Sequence, residues 1–551
     1  MSEPHDWLVE IDGDAPVVVY APHGGRRAAD AGRGANVNDL HTDELSLEIA
    51  RRLGASAIIN RGLDRNEHDL NRISTLRSTR SDVLSRLDRV IDVATRGGQR
   101  TALVLLVHGW NISSAWCDIG VGLTESAGEL RGRNPTVSRA VLDRVCLPLI
   151  DRLRAAGLEG SIGHRYAASG KENVTQIFSG RHAEDDDEII ARLSQRAAAG
   201  ALDGIQIELG IPLRWPGPRR DRLIEVLCAV LEGEIREREN AEGASATCPR
   251  TEWDLPPRQL DRPADRPEPG YAVQAVLADG SGLFLGAEPG GARSLAARVC
   301  IARPDGRMAL FVAEGPWNGD PGSYAVAGLR FEASENRRGD REFAMRLEYD
   351  GPMVLYPTHD AFLDLERGLA GADIQDASLR LEFTPHSGGF GRLTGSVSFG
   401  PGQMEVAATA VCNRGGRLDP AADSRLRVHI TEGPRAPEVL ADAGVERDPK
   451  LLLRDGRLVL PAGSSEAGSD EAGSDSQARD SPDKSGRGEI HATVRARVPV
   501  FRILPDGTAI RVTFGVAEFE GTSEDSAGGV GLFEEVSIIR PRGRQGSPGK
   551  G

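Results

Sequence analysis

Between residues 15 and 235, short unbroken apolar runs alternate with longer stretches in which apolar positions recur every three or four residues. The runs at 16–21, 55–60, 101–107 and 204–209 have strand length and no polar alternation, as strands covered on both faces do. Between them, Asp43 to Leu53 sets Leu45, Ile49 and Leu53 on one helical face. That segment starts in acid, ends in base and stops at Gly54, the charge order and terminator of a helix. Further helices are predicted over 81–95, 137–156, 186–198 and 219–238. The run Asp185 to Glu188 reads as the start of one of these, because it lacks the alternating spacing of a calcium loop. The whole pattern predicts an α/β domain over 1–238, a mixed, largely parallel sheet flanked by helices.

Beyond 238 the periodicity stops. Residues 239–269 carry six prolines among charged residues, the composition of a stiff linker. From Tyr271 the texture becomes short alternating segments, such as Ala309 to Ala313 and Ser378 to Phe383, separated by glycine-rich turns. This predicts an all-β region over 270–540, a sandwich or a lipocalin-like barrel. Residues 462–488 are acidic, repetitive and too polar for a core, and are expected to form a disordered loop within that region. Strand texture resumes at 489–502 and 508–520, and 541–551 reads as a disordered tail.

Composition narrows the function. A chain of 551 residues needs more than one core. Its net charge of -15 argues against a dedicated nucleic-acid binder, which requires a basic face. The six cysteines are widely spaced with no CxxC pair, so neither a zinc ribbon nor a disulfide framework is expected. No secretory opening and no apolar run of about 18 residues is visible. The expectation is a cytoplasmic protein without a membrane partner. No glycine-rich phosphate loop followed by a helix occurs, so a nucleotide site is not expected either.

Chemistry gathers at the strand ends. His23 follows Val17 to Ala21, His108 follows Leu103 to Val107, and Glu208 follows Ile205 and Ile207. The carboxyl ends of parallel strands are where ligands and metals bind in open α/β sheets. Two imidazoles at such ends suit zinc, which in catalytic sites takes three protein ligands and keeps a fourth position open. A carboxylate closing an apolar strand is costly without a task or a partner, and Arg214 is the candidate partner.

In order, the first domain presents Pro22-His23-Gly24-Gly25, then Asp39 through Leu45, then Arg65-Asn66-Glu67-His68-Asp69-Leu70-Asn71-Arg72, His108-Gly109, and Gln206-Ile207-Glu208. The series resembles the N-formylglutamate amidohydrolase family, relatives of the zinc carboxypeptidases, over about residues 20–215. The resemblance implies a Zn2+ ion held by His23, Asp43 and His108, with Asp39 and Glu44 as alternatives for the carboxylate. It implies Glu208 as the general base that works on zinc-activated water, Arg65 as the group that polarises the scissile carbonyl, and Asn71 with Arg72 as the grip on a substrate carboxylate. Asp69 is read as orienting these groups. The implied reaction is hydrolysis of an amide bond in a small N-formyl or N-acyl amino acid. The chain departs from that pattern at Arg26, where an HxxE ligand pair would place its acid, at Gly109-Trp110 after His108, and at Pro212 to Trp215 after Glu208. For the β region the expected partner is an apolar small ligand or another protein.

Overall fold

The computed structural model describes residues 7–27, 36–78, 83–126, 129–241, 270–291, 294–316, 323–335, 343–358, 365–386, 390–400, 402–415, 425–432, 438–444, 457–460, 490–503, 509–521 and 529–539. The chain divides into two compact units. The first comprises Met1–Arg262 with Pro352–Val354 and Asp364–Ile374, and the second comprises the remainder. The expected linker beyond Ala241, the acidic stretch 462–488 and the tail 541–551 lie outside the described residues.

In the first unit the elements run β1 (Leu8–Ile11), β2 (Val17–Ala21), α1 (Thr42–Leu53), β3 (Ser56–Asn60), α2 (Ile73–Ser78), α3 (Ser85–Ala94), β4 (Ala102–Gly109), β5 (Trp116–Gly120), β6 (Thr124–Ser126), β7 (Glu129–Arg131), α4 (Arg139–Val141), α5 (Leu147–Ala155), β8 (Glu159–Ile162), α6 (Glu188–Ala198), β9 (Leu202–Leu209), α7 (Ile211–Arg214) and α8 (Pro218–Asn240). Seven strands form one sheet in the order β1-β3-β2-β4-β9-β5-β8. β3, β2, β4 and β9 are parallel neighbours, whereas β1 and β5 pair antiparallel with β3 and β9. The sheet is therefore mixed and largely parallel. Of its strands, β1, β5 and β8 were not foreseen. They are only four or five residues long, and Asp118 breaks the apolar pattern of β5.

Both faces of the sheet are covered, which explains the unbroken apolar runs. On one side Val17, Val19, Leu103, Leu105 and Val107 meet α1, α5 and α8 through residues such as Leu45, Ile49, Leu149 and Leu227. On the other, Val18, Tyr20, Val104 and Leu106 meet α3 and α6 through Leu87, Ile91, Ile190 and Leu193. The segment predicted as one helix over 137–156 consists of α4 and α5 joined by a π turn at Leu142–Cys146. Pro148 follows that turn and cannot donate to the preceding helical carbonyl, a usual cause of such widening. Asp187 caps α6 by accepting from the backbone N–H groups of Ile189 and Ile190. The five described cysteines are buried and free.

In the second unit a ten-stranded antiparallel sheet runs from β10 (Gly270–Val276) to β19 (Gly402–Gly415) and closes into a barrel through a pairing of β13 (Met308–Pro316) with β16 (Phe343–Tyr356). Alternation along β17 (Asp373–Pro385) sends Leu379, Leu381 and Phe383 inward, as a barrel wall requires. A six-stranded antiparallel sheet follows, from β20 (Arg425–Glu432) to β25 (Gly529–Ile539). It includes the strands expected at 489–502 and 508–520, which span Ile490–Ile503 and Ala509–Gly521. No helix among the described residues is long and apolar enough to cross a membrane.

Glu159 on β8 bears one consequence of burial. Its carboxyl is pushed up to about 7 from 4.5 because burial penalises the charged form. A raised folded-state value means the folded protein holds that proton more tightly, so the stability linked to it is lost as pH rises through about 7. Glu159→Gln is expected to raise the thermal midpoint at pH 8, with a smaller gain at pH 5. Equal gains at both values, measured by calorimetry, would contradict it.

Candidate active site

The carboxyl ends of β2, β4 and β9 lie side by side. His23 stands two residues past β2, and His108 and Glu208 occupy directly opposed positions on β4 and β9, which places their backbones about 4.8 Å apart. Alternation puts His108, Gln206 and Glu208 on the face that carries α3 and α6. All four side chains, with His23, are buried.

A carboxylate joins the two imidazoles, and it belongs to Asp39. Its backbone N–H donates to His23 O at 2.8 Å, and its own carbonyl accepts from Thr42 Oγ1. Asp39 Oδ2 lies 3.3 Å from His23 Nδ1 and 3.5 Å from His108 Nδ1, and the two Nδ1 atoms are 3.2 Å apart. Three donors bound to zinc at about 2.1 Å with tetrahedral angles would be separated by about 3.4 Å. The residues present therefore fit such an ion. Behind His23, its Nε2 meets Asp69 Oδ1 at 2.7 Å, a carboxylate placed to fix the orientation of the ring. Burial, foremost, lowers His108 to about 4, so its ring is neutral at physiological pH, and its Nε2 is buried with no hydrogen-bond partner. Burial alone would raise Asp39, yet hydrogen bonds from His108 and His23 and the charges of His23 and Arg65 hold it well below the usual carboxylate range.

Asp43, the acid expected in this place, is elsewhere. It sits in the first turn of α1 with Oδ2 accepting from Arg61 Nε at 3.1 Å, and Arg26 approaches its other oxygen. The cause is local: His41, at φ 67°, turns the chain sharply between Asp39 and the helix, so the helical acid diverges from the strand ends. Glu44 bonds His41 and is half-buried. Gly24 permits the close approach of α1 to the His23 loop, since a Cβ there would lie 2.7 Å from Asp43 Cβ and from Asn60 O. Gly109 similarly leaves room for the buried guanidinium of Arg214, which bonds Leu40 O and Asn111 Oδ1. Glu208 takes its hydrogen bond from Gln206 instead of pairing with that arginine, at 2.8 Å.

The other expected residues surround the cluster. Arg65 Nη1 donates to Asp39 Oδ1 at 3.1 Å and to Val37 O, while its Nε is buried without a partner. Arg72 Nε donates to Asp69 Oδ2, with the side chain otherwise exposed. Asn71 donates its backbone N–H to Asp69 Oδ1, and its own Oδ1 is buried and unpartnered. Asp69 thus receives His23, Asn71 and Arg72 together; burial would raise its carboxyl, but the hydrogen bond and charge of His23, the charge of Arg65 and the hydrogen bond of Arg72 hold it low. Glu208 is pushed well above the ordinary range, first by burial and then by the charge of Asp39.

Several residues near the site carry no sequence motif. A cavity of about 290 Å3 is lined by Tyr166, Ser169, Asn173 and Gln206 among others. Asn173 Nδ2 donates to Gln206 Oε1, so the cavity wall is bonded in series to Glu208. The loop with Tyr166 is built on Asp118, which accepts from Ser161 Oγ and from the backbone N–H groups of His164, Arg165 and Tyr166. A buried acid in a strand is the only sequence signal for it.

No family model matches the sequence, and no curated protein matches it. Among solved structures, similarity is found to the gene product Atu2144 from Agrobacterium tumefaciens, at 12% identity over 42% of this chain and 94% of that one, TM-score 0.27. Kievitone hydratase from Nectria haematococca matches at 9% identity, over 49% and 89%, with a TM-score of 0.26. CghA matches at 13%, over 49% and 88%, with a TM-score of 0.23. Likenesses this slight do not bear on the chemistry of the site.

The geometry distinguishes the two aspartates experimentally. Titrated with Zn2+, the full-length protein is expected to take up one equivalent. Asp39→Asn should weaken binding more than about 100-fold, beyond the loss typical of an outer group, while Asp43→Asn stays near wild type. The reverse order of effects would restore Asp43 as the ligand.

Proposed function

We propose that the chain is a zinc-dependent amidohydrolase acting on a small carboxylate-bearing amide, an N-formyl or N-acyl amino acid, in the manner of the N-formylglutamate amidohydrolases that its first half resembles. The observation that carries this reading is the triangle of His23 Nδ1, His108 Nδ1 and Asp39 Oδ2, with sides of 3.2 to 3.5 Å, backed by Asp69 and set beside Glu208. A zinc ion held by those three residues would supply Lewis acidity, lowering the pKa of water and polarising a carbonyl.

The remaining work falls to the chain's own side chains. Glu208, with its carboxyl raised by burial, is suited to take a proton from the attacking water and return it to the leaving amine. Gln206 Nε2 fixes one of its oxygens, so the proton-carrying group has a set orientation. Arg65, anchored through Nη1 on Asp39, keeps a buried donor at Nε for the oxygen on which charge develops. Arg72 is anchored through Nε on Asp69 at the exposed rim, which leaves the fork of its guanidinium for a substrate carboxylate. The adjoining cavity, about 290 Å3 in volume, suits a small substrate better than an extended one.

Assayed on a panel of N-formyl and N-acyl amino acids, Glu208→Gln is expected to lower kcat by about 100- to 10,000-fold with Zn2+ still bound. Stoichiometric zinc with no hydrolysis of any substrate would defeat the enzyme reading. Arg72→Ala is expected to raise KM for acidic substrates at least about tenfold, the worth of a charged hydrogen bond, and to leave KM for the matching carboxamides unchanged. Equal effects on both series would remove Arg72 from substrate binding.

A further inference from the structure

The loop that presents Asp39 is gripped by a segment that lies far away in the chain. Glu366 belongs to the short helix α9 (Leu365–Ala370), which follows β16 and precedes β17 in sequence but packs in the first unit. Its carboxylate is buried. Oε1 accepts from the backbone N–H of Arg27 at 2.9 Å, and Oε2 accepts from the backbone N–H of Asn38 at 3.2 Å. Asn38 Nδ2 adds bonds to both oxygens, at 3.2 and 3.1 Å, and one to Asp64 Oδ1. Asn38 is itself fully buried, and its Oδ1 accepts the backbone N–H of Arg65 at 3.0 Å. One side-chain amide therefore links Glu366 to the residue next to Asp39 and to the arginine bonded to Asp39.

The same segment reaches the far side of the loop. Trp215 Nε1 donates to Ala372 O at 3.2 Å, and the Trp215 ring packs edge-on against His41 at 4.5 Å. Asp39 is thus held between Asn38 and His41, each braced by residues 366–372. We propose that Glu366 is a positioning residue for the metal centre, acting through Asn38 to set Asp39 and Arg65. This rests on the reading of His23, Asp39 and His108 as metal ligands. The groups that face its carboxylate are N–H donors, so glutamine at 366 would set an amide N–H2 against a donor without changing the volume. Groups behind metal ligands characteristically influence affinity because they fix ligand geometry.

The test uses the full-length protein and two readouts besides turnover. Zn2+ affinity is measured by competition with a chromophoric chelator, and the visible absorption of bound Co2+ reports ligand geometry. Wild type, Asp39→Asn, Glu366→Gln and Glu366→Ala are compared, with circular dichroism and melting curves to establish folding. Glu366→Gln is expected to keep the fold, weaken Zn2+ by about 10- to 100-fold and shift the Co2+ bands. Glu366→Ala should do at least as much; if it fails to fold, the glutamine variant decides. Wild-type affinity and an unchanged Co2+ spectrum in folded Glu366→Gln would overturn the role of Glu366 and leave the metal reading standing. A wild-type protein that binds neither ion would overturn the metal reading, and this inference with it.

Discussion

Two imidazoles and a carboxylate crowded at one point need positive charge shared among them, and the first unit is organised around that requirement. Asp69 bonds the far nitrogen of His23, burial keeps His108 neutral, and hydrogen bonds from both histidines with the charges of His23 and Arg65 keep Asp39 anionic. At separations of 3.2 to 3.5 Å, such a group is stable only around a shared proton or a cation. The sheet supplies the placement, because parallel neighbours bring residues distant in sequence to one edge in register. The helices on both faces supply the low dielectric that makes the arrangement consequential.

Four acids stand near that edge, three of them buried and Asp69 half-buried, and the fold gives each a different environment. Asp118 meets one hydroxyl and three backbone N–H groups, so its charge is spent on holding the Tyr166 loop. Asp69 meets an imidazole, an arginine and a backbone N–H. Asp39 has Arg65 and the two histidines. Glu208 is left with one neutral amide, and burial first, then the charges of Asp39 and Asp118, drive it toward its protonated form. A division of labour between anionic and proton-carrying carboxyls therefore follows from hydrogen-bond supply, with no difference in residue chemistry needed.

Much of this was legible in the pattern of the chain. Strands buried on both faces announce themselves as unbroken apolar runs, and a polar residue that ends such a run stands out, which is how His23, His108 and Glu208 could be singled out. Which acid joins the two histidines was not legible. Asp39 and Asp43 are four residues apart, and the left-handed turn at His41 decides which of them faces the histidines. An acid in the first turn of a helix has a local electrostatic reason to be there, so Asp43 carries a signal that Asp39 lacks. Asp118 and Tyr166 were also invisible, because the pairing of β5 with β9 brings Asp118 beside Glu208, Asp118 in turn holds the Tyr166 loop, and no short motif records either. In the second half, alternation identified the β region, while closure into a barrel depends on a pairing of β13 with β16 that no local pattern records.

The contact between Asn38 and Glu366 spans 328 positions of sequence, and that separation has a consequence for biogenesis. A ribosome adding roughly 5–20 residues per second needs roughly 15–65 seconds to travel that span. For the part of that interval after α8 has been made, the α/β unit has its strands and helices but not the carboxylate that fastens the Asn38 loop. The nascent unit must therefore wait in a partly assembled condition, and its last hydrogen bonds close only after a long stretch of barrel sequence has left the exit tunnel.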